Sequence, residues 1–184
     1  NQQIEEVCIS SLLHEAKPEA LEGVGVKTSS RTERIIDDFR RGFHDWYTIN
    51  GNHRPLWQHW TRKVTDPKWR GPKGAKLALT IQSDQPNVLG IVLHENTWRR
   101  YRGKKRTYVA EVKLKGGKGE TVTLDLGDFK NVTDDVLLKS WDELDELGLV
   151  AKATIRGAKP IEVAADPWQG PKPVFKRLEW QLKD

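Results

Sequence analysis

Apolar and polar residues alternate with a period of two along most of this chain, which is the pattern of half-buried β-strands. Between Lys76 and Gln82 the apolar positions are Leu77, Leu79 and Ile81, and between Val88 and His94 they are Leu89, Ile91 and Leu93. Thr107 to Leu114 places Tyr108, Ala110, Val112 and Leu114 on one face and Val109, Glu111 and Lys113 on the other. Val122, Leu124 and Leu126 share a face in Glu120 to Leu126. Shorter runs at Ile35 to Phe39, Leu149 to Arg156 and Phe175 to Leu182 complete the predicted strands. Glycine and proline separate them at Gly71-Pro72-Lys73-Gly74, Gly116-Gly117-Lys118-Gly119 and Pro167 to Pro173, and the second of these reads as a hairpin turn. Short strands at regular spacing with few helical patterns predict an all-β fold, an antiparallel jelly-roll β-sandwich with a short N-terminal extension.

Residues 1–34 break this rhythm. Ile4 to Ala16 fits a short amphipathic helix or a strand, Pro18 stops it, and Gly23 to Thr32 reads as a connector. The expected division is therefore an extension or linker over 1–34 and a sandwich domain over 35–184. No internal repeat is visible, which disfavours propellers and solenoids.

Composition narrows the function classes. A chain of 184 residues can bury a core without covalent help, and its single cysteine, Cys8, permits no intrachain disulfide. The formal charge of +5 favours anionic partners. No apolar stretch approaches the roughly 20 residues of a membrane helix, so no membrane partner is expected. Methionine is absent even at position 1, which predicts an excised or processed piece.

Enzyme signatures fail in turn. Jelly-roll glycosidases place two carboxylates on one face of a strand, about 5–5.5 Å apart in retaining enzymes. Within Asp142 to Glu146, Glu143 and Asp145 begin such a pattern, but Leu147 and Gly148 end it. A helical turn capped by Ser140, with Leu144 and Leu147 inward, describes the segment better. There is no Gly-x-Ser-x-Gly elbow, and the five histidines lack metal-centre spacing. No enzyme is expected.

The eight tryptophans survive this pruning, because several keep basic company instead of sitting in apolar runs. His44-Asp45-Trp46-Tyr47, Arg54 to Arg62 and Asn96 to Arg102 mix indoles with arginine and histidine. If Trp57 to Lys63 is extended, Trp57 and His59 share a face and Trp60 takes the other; Trp60 is then the core candidate. Trp141 and Trp180 also read as core, and Trp69 and Trp168 as pins of proline-flanked loops. The expected ligand set is Trp46, Tyr47, Trp57, Trp98 and Tyr101 for stacking, with Arg54, His59, Arg99, Arg100 and Arg102 as charged companions. Indoles stack on the C–H faces of sugar rings, while arginine pairs with carboxylate or sulfate in a bidentate way.

The runs Val122 to Phe129 and Ser140 to Leu149, with Ile36-Asp37-Asp38-Phe39 and Phe175 to Trp180 as first and last strands, resemble galactose-binding-like sandwiches. Carbohydrate-binding modules and the complex I intermediate-associated family belong to that group. The resemblance implies a non-catalytic carbohydrate-binding module holding a polysaccharide, and the arginines make an anionic one, sulfated or uronic, the sharper expectation. It also implies a neighbouring catalytic domain in a bacterial polysaccharide-degrading parent that is secreted, periplasmic or at the cell surface. Such modules often carry a structural calcium; Asp37, Asp38 and Glu179 offer hard oxygen donors, no ligand set is assigned, and binding requires no cofactor. A structural sandwich packed on a catalytic partner is the main rival, and single-stranded nucleic acid is the weaker one.

Overall fold

The computed structural model describes residues 34–44, 46–50, 57–61, 71–95, 106–142, 144–155, 160–164 and 167–182. Two antiparallel sheets face each other. One has four strands in the order β1 (Ile35–Asp37), β12 (Val174–Gln181), β4 (Lys76–Gln82), β7 (Glu120–Leu124). The other has six, in the order β2 (Trp46–Asn50), β3 (Trp57–Thr61), β9 (Leu144–Val150), β5 (Asn87–Glu95), β6 (Arg106–Leu114), β8 (Lys130–Asn131). A separate two-stranded hairpin is made by β10 (Ala153–Ile155) and β11 (Ile161–Val163). The expected antiparallel jelly-roll sandwich is the observed architecture.

The predicted inward residues make its main core. Leu77, Leu79 and Ile81 from β4 meet Leu89, Ile91 and Leu93 from β5, with Tyr108, Ala110 and Val112 from β6 and Leu178 from β12. Trp141 and Trp180 stand in the same core with ring centroids 5.0 Å apart, and the Trp141 indole N–H donates to the Ala75 carbonyl at 2.9 Å. Residues 115–119 turn between β6 and β7, with Gly116 and Gly117 at φ near +80°, where glycine is favoured.

Two local expectations are corrected. β1 ends at Asp37 instead of Phe39, because the Asp37 carboxylate accepts the Phe39 N–H at 2.8 Å and Phe39 adopts φ +53°. The predicted helical turn at Leu144 is the strand β9. Leu144 and Leu147 do both face the core, as expected, but a β-bulge puts them there. His94 pairs with Glu146 while Glu95 pairs with Leu144, so one extra residue on β9 shifts the alternation and imitates helical spacing. Ser140 closes a local turn: it donates to Asp142 Oδ2 at 2.8 Å and accepts the Asp142 N–H at 3.1 Å.

Candidate functional site

Strand β3 decides where the aromatic residues go. Its alternation is as expected, but its two faces are exchanged. Trp57, His59 and Thr61 point between the sheets, with Trp57 5% and His59 1% exposed, and Trp60 lies on the outer face of the six-stranded sheet. Polar His59 and Thr61 read as solvent-facing residues in the sequence. Thr61 instead accepts the Leu147 N–H at 3.0 Å, and His59 behaves as an aromatic plate. Its ring stacks on Phe43 at 3.6 Å and 9°, and on Trp57 at 5.4 Å, with Phe175 at its edge. Burial, reinforced by the positive charge of Lys172, lowers its pKa from 6.5 to about 3. The imidazole is therefore neutral at physiological pH. The Lys172 ammonium sits 5.4 Å from the Phe43 centroid and 5.9 Å from that of Trp57.

Trp46 joins the same inner cluster, 3% exposed, with its indole N–H donating to Asp37 Oδ2 at 2.7 Å. Trp57 meets Trp168 edge-on at 5.1 Å, and the Trp168 N–H donates to the Pro171 carbonyl at 3.0 Å. Trp46, Trp57 and His59 thus pack into the interior, and in this conformation their faces are closed to a ligand. Trp46 and Trp57, expected to stack on a ligand, and His59, expected as a charged companion, are interior residues here.

The outer face carries a different set. Straight across the sheet run Tyr47, Trp60, Gly148, Val92 and Val109, one residue from each strand from β2 to β6. The next row holds Glu146, His94 and Thr107. The Trp60 ring fills the space above Gly148, where an added Cβ would come within 2.6 Å of it. It lies parallel to His94 at 5.4 Å and 6°, and its N–H donates to Gln58 Oε1 at 3.0 Å. The Tyr47 hydroxyl donates to Glu146 Oε1 at 2.6 Å, and His94 Nδ1 bonds the Thr107 hydroxyl at 2.9 Å. Trp60, His94, Glu146 and Thr107 are each less than a tenth exposed, so they form a firm floor, beside which Tyr47 is half-buried. Trp60 is buried, as expected of a core residue, in the smaller outer cluster with Val92, Val150, Ala153 and Val163; sequence reasoning missed His94, Thr107 and Glu146. The available signal was their shared face, one register row apart.

The β10–β11 hairpin bars the same face farther along. Val163 packs over Gly90, the Gln58 amide donates to the Lys152 carbonyl at 2.7 Å, and the Ala164 N–H donates to Glu111 Oε1 at 2.7 Å. These contacts stretch from β3 to β6.

Trp98, Arg99, Arg100, Tyr101 and Arg102 lie outside the described residues. Their segment leaves β5 after Glu95 and returns at Arg106, at the sheet end that carries the Glu146–His94–Thr107 row. Arg54 is also outside the described residues, in the connection from Asn50 to Trp57 that joins β2 and β3 at the opposite end.

The carboxylates considered for calcium each have a protein partner. Asp37 accepts from Trp46 and Phe39, Asp38 pairs with Arg40 at 3.2 Å, and Glu179 pairs with Arg177 at 3.1 Å. Among the described residues, no group of three or more His, Cys, Asp or Glu could hold a metal ion, and no helix is long and apolar enough to cross a membrane.

Among solved structures, the chain is similar to a family 11 carbohydrate-binding module from Clostridium thermocellum, determined in complex with a β-1,3-1,4-mixed-linked tetrasaccharide. The two are 12% identical, the match covers 81% of this chain and 95% of the module, and the TM-score is 0.52. That is a likeness of fold. No family model and no curated protein sequence matches the chain.

Proposed function

We propose that this chain is a non-catalytic carbohydrate-binding module that holds an anionic polysaccharide at the end of the six-stranded sheet where segment 96–105 is attached. The observation that carries the reading is the ordered outer-face floor. Trp60 is laid flat over Gly148 beside His94, and Tyr47 is held by Glu146. Trp60 and His94 are themselves closed in, so the half-buried Tyr47 they adjoin is the ring a sugar can reach, with an apolar face and a held hydroxyl to match a sugar's C–H faces and hydroxyls. The likeness of fold to a module solved with a tetrasaccharide supports the same class.

In this reading Tyr47, held in place by the buried floor, sets the sugar's orientation, while Trp98 and Tyr101 add stacking. Arg99, Arg100 and Arg102 pair with carboxylate or sulfate groups. The floor itself contains the carboxylate of Glu146, so the ligand's negative charge belongs with Arg99, Arg100 and Arg102 instead. The parent would be a secreted or cell-surface bacterial protein with a neighbouring catalytic domain, to which this module delivers the polysaccharide.

Affinity gel electrophoresis against neutral, uronic and sulfated polysaccharides tests the reading. Retardation by acidic polysaccharides is expected, lost in Trp98→Ala with little change in melting temperature. Retention by no polysaccharide, with tight binding to oligonucleotides instead, would overturn it.

A further inference from the structure

Beyond the hairpin, the outer face of the six-stranded sheet opens again into a cleft of about 460 Å³ at the end opposite segment 96–105. We propose that this cleft is a second ligand site, one that takes a single anionic sugar unit, separate from the aromatic end. Its volume falls in the range of roughly 300–1,000 Å³ typical of small-molecule sites.

The walls are built and stiff. Asn87 is buried and ties three segments together. Its amide nitrogen donates to Ser83 Oγ and to the carbonyls of Gln85 and Gln169, and its oxygen accepts the Gln169 N–H at 2.7 Å. Pro86 and Pro167 line the cleft with rigid rings, whose C–H surfaces match the apolar faces of a pyranose. Gly116 locks the Pro86 side from behind: at φ +79° its backbone approaches so closely that a Cβ would lie 2.5 Å from Pro86 N. A cleft held in shape this way meets a ligand with little loss of conformational entropy.

The charge is set by Lys113. It stands beside Val88 in register, and its exposed side chain makes no ion pair or hydrogen bond among the described residues. Glu111, the nearest carboxylate along its strand and face, is turned to the Ala164 N–H. A cation with no partner among the described residues, in a cleft lined also by proline C–H surface and by the exposed polar Gln169, fits a sugar carrying one carboxylate or sulfate.

The test is a titration of the isotope-labelled chain followed by amide resonances, with glucuronate, galactose 6-sulfate and glucose added separately. Saturable shifts are expected at Asn87, Val88 and Gln169 with at least one of the two anions, none with glucose, and loss of at least tenfold in affinity in Lys113→Glu. Val88→Trp, which fills the cleft and leaves the lysine, is expected to abolish the shifts as well. The proposal is overturned by an absence of saturable shifts with both anions, by equal shifts with glucose, or by binding that survives Lys113→Glu. Because the titrants are monosaccharides and the reporters lie across the hairpin from Trp60, failure here leaves the polysaccharide test of the aromatic end intact. Failure of that test equally leaves this one intact.

Discussion

The indole of Trp60 occupies the space over the Gly148 backbone that any other residue's side chain would need, 2.6 Å from where a Cβ would sit. Gly148 is thus a shape requirement of the outer-face floor, imposed across the β3–β9 pair.

Gly148→Ala should displace Trp60 from His94. A cost of about 1–3 kcal/mol is expected, typical of overpacking. Urea unfolding gives the magnitude, and a changed near-ultraviolet circular dichroism spectrum would report the moved indole. Unchanged stability and spectrum would show that the ring can slide aside freely.

Stability should fall on acidification through His59. Its pKa of about 3 in the folded chain lies below the usual 6.5, so between these values the unfolded chain binds a proton that the folded one refuses. The contribution is therefore fully present above pH 6.5 and is lost as pH falls toward 3, by about 1.4 kcal/mol per pH unit at full slope. Urea unfolding of the wild type and His59→Phe at pH 7 and pH 4.5 checks the sign. The variant, with a flat ring that cannot titrate between Phe43 and Trp57, should lose less stability between the two.

Asp37→Ala removes the acceptor of two hydrogen bonds, from the Trp46 indole and the Phe39 N–H. A loss of about 1–3 kcal/mol is expected, the usual cost of depriving a buried donor of its partner. Calorimetric unfolding measures it. Added calcium should leave the wild-type midpoint unmoved, because those oxygens are already engaged.

Polysaccharide retention should weaken steeply with salt if arginines lead it. At 1 M the screening length is about 3 Å, against about 10 Å at 0.1 M. A retention that is flat across this range would assign the binding to stacking alone.

Much of the sandwich was legible because the core-facing residues of β4, β5 and β6 recur with period two, even though β5 is buried on both faces, so period two identifies both element and orientation. Legibility failed where chemistry and side disagree. His59 and Thr61 carry polar atoms into the core, where one stacks as a neutral plate and the other caps a β9 amide. Residue type therefore pointed β3 the wrong way, although its periodicity was right. The bulge at Leu144 hid a strand behind helical spacing. The floor pairs Glu146 with His94 and His94 with Thr107 across sequence separations that only strand register reveals.

Strand β3 is five residues long, yet it sends Trp57 and His59 into the space between the sheets and Trp60 into the outer cluster with Val92, Val150 and Val163. It works as a rivet with a head on each side of one plate. The inner and outer clusters therefore cannot come apart in separate steps, because withdrawing β3 empties both. Whatever the outer face holds is coupled through this strand to the cohesion of the whole sandwich, and occupancy there should be felt as resistance to global unfolding instead of local stiffening.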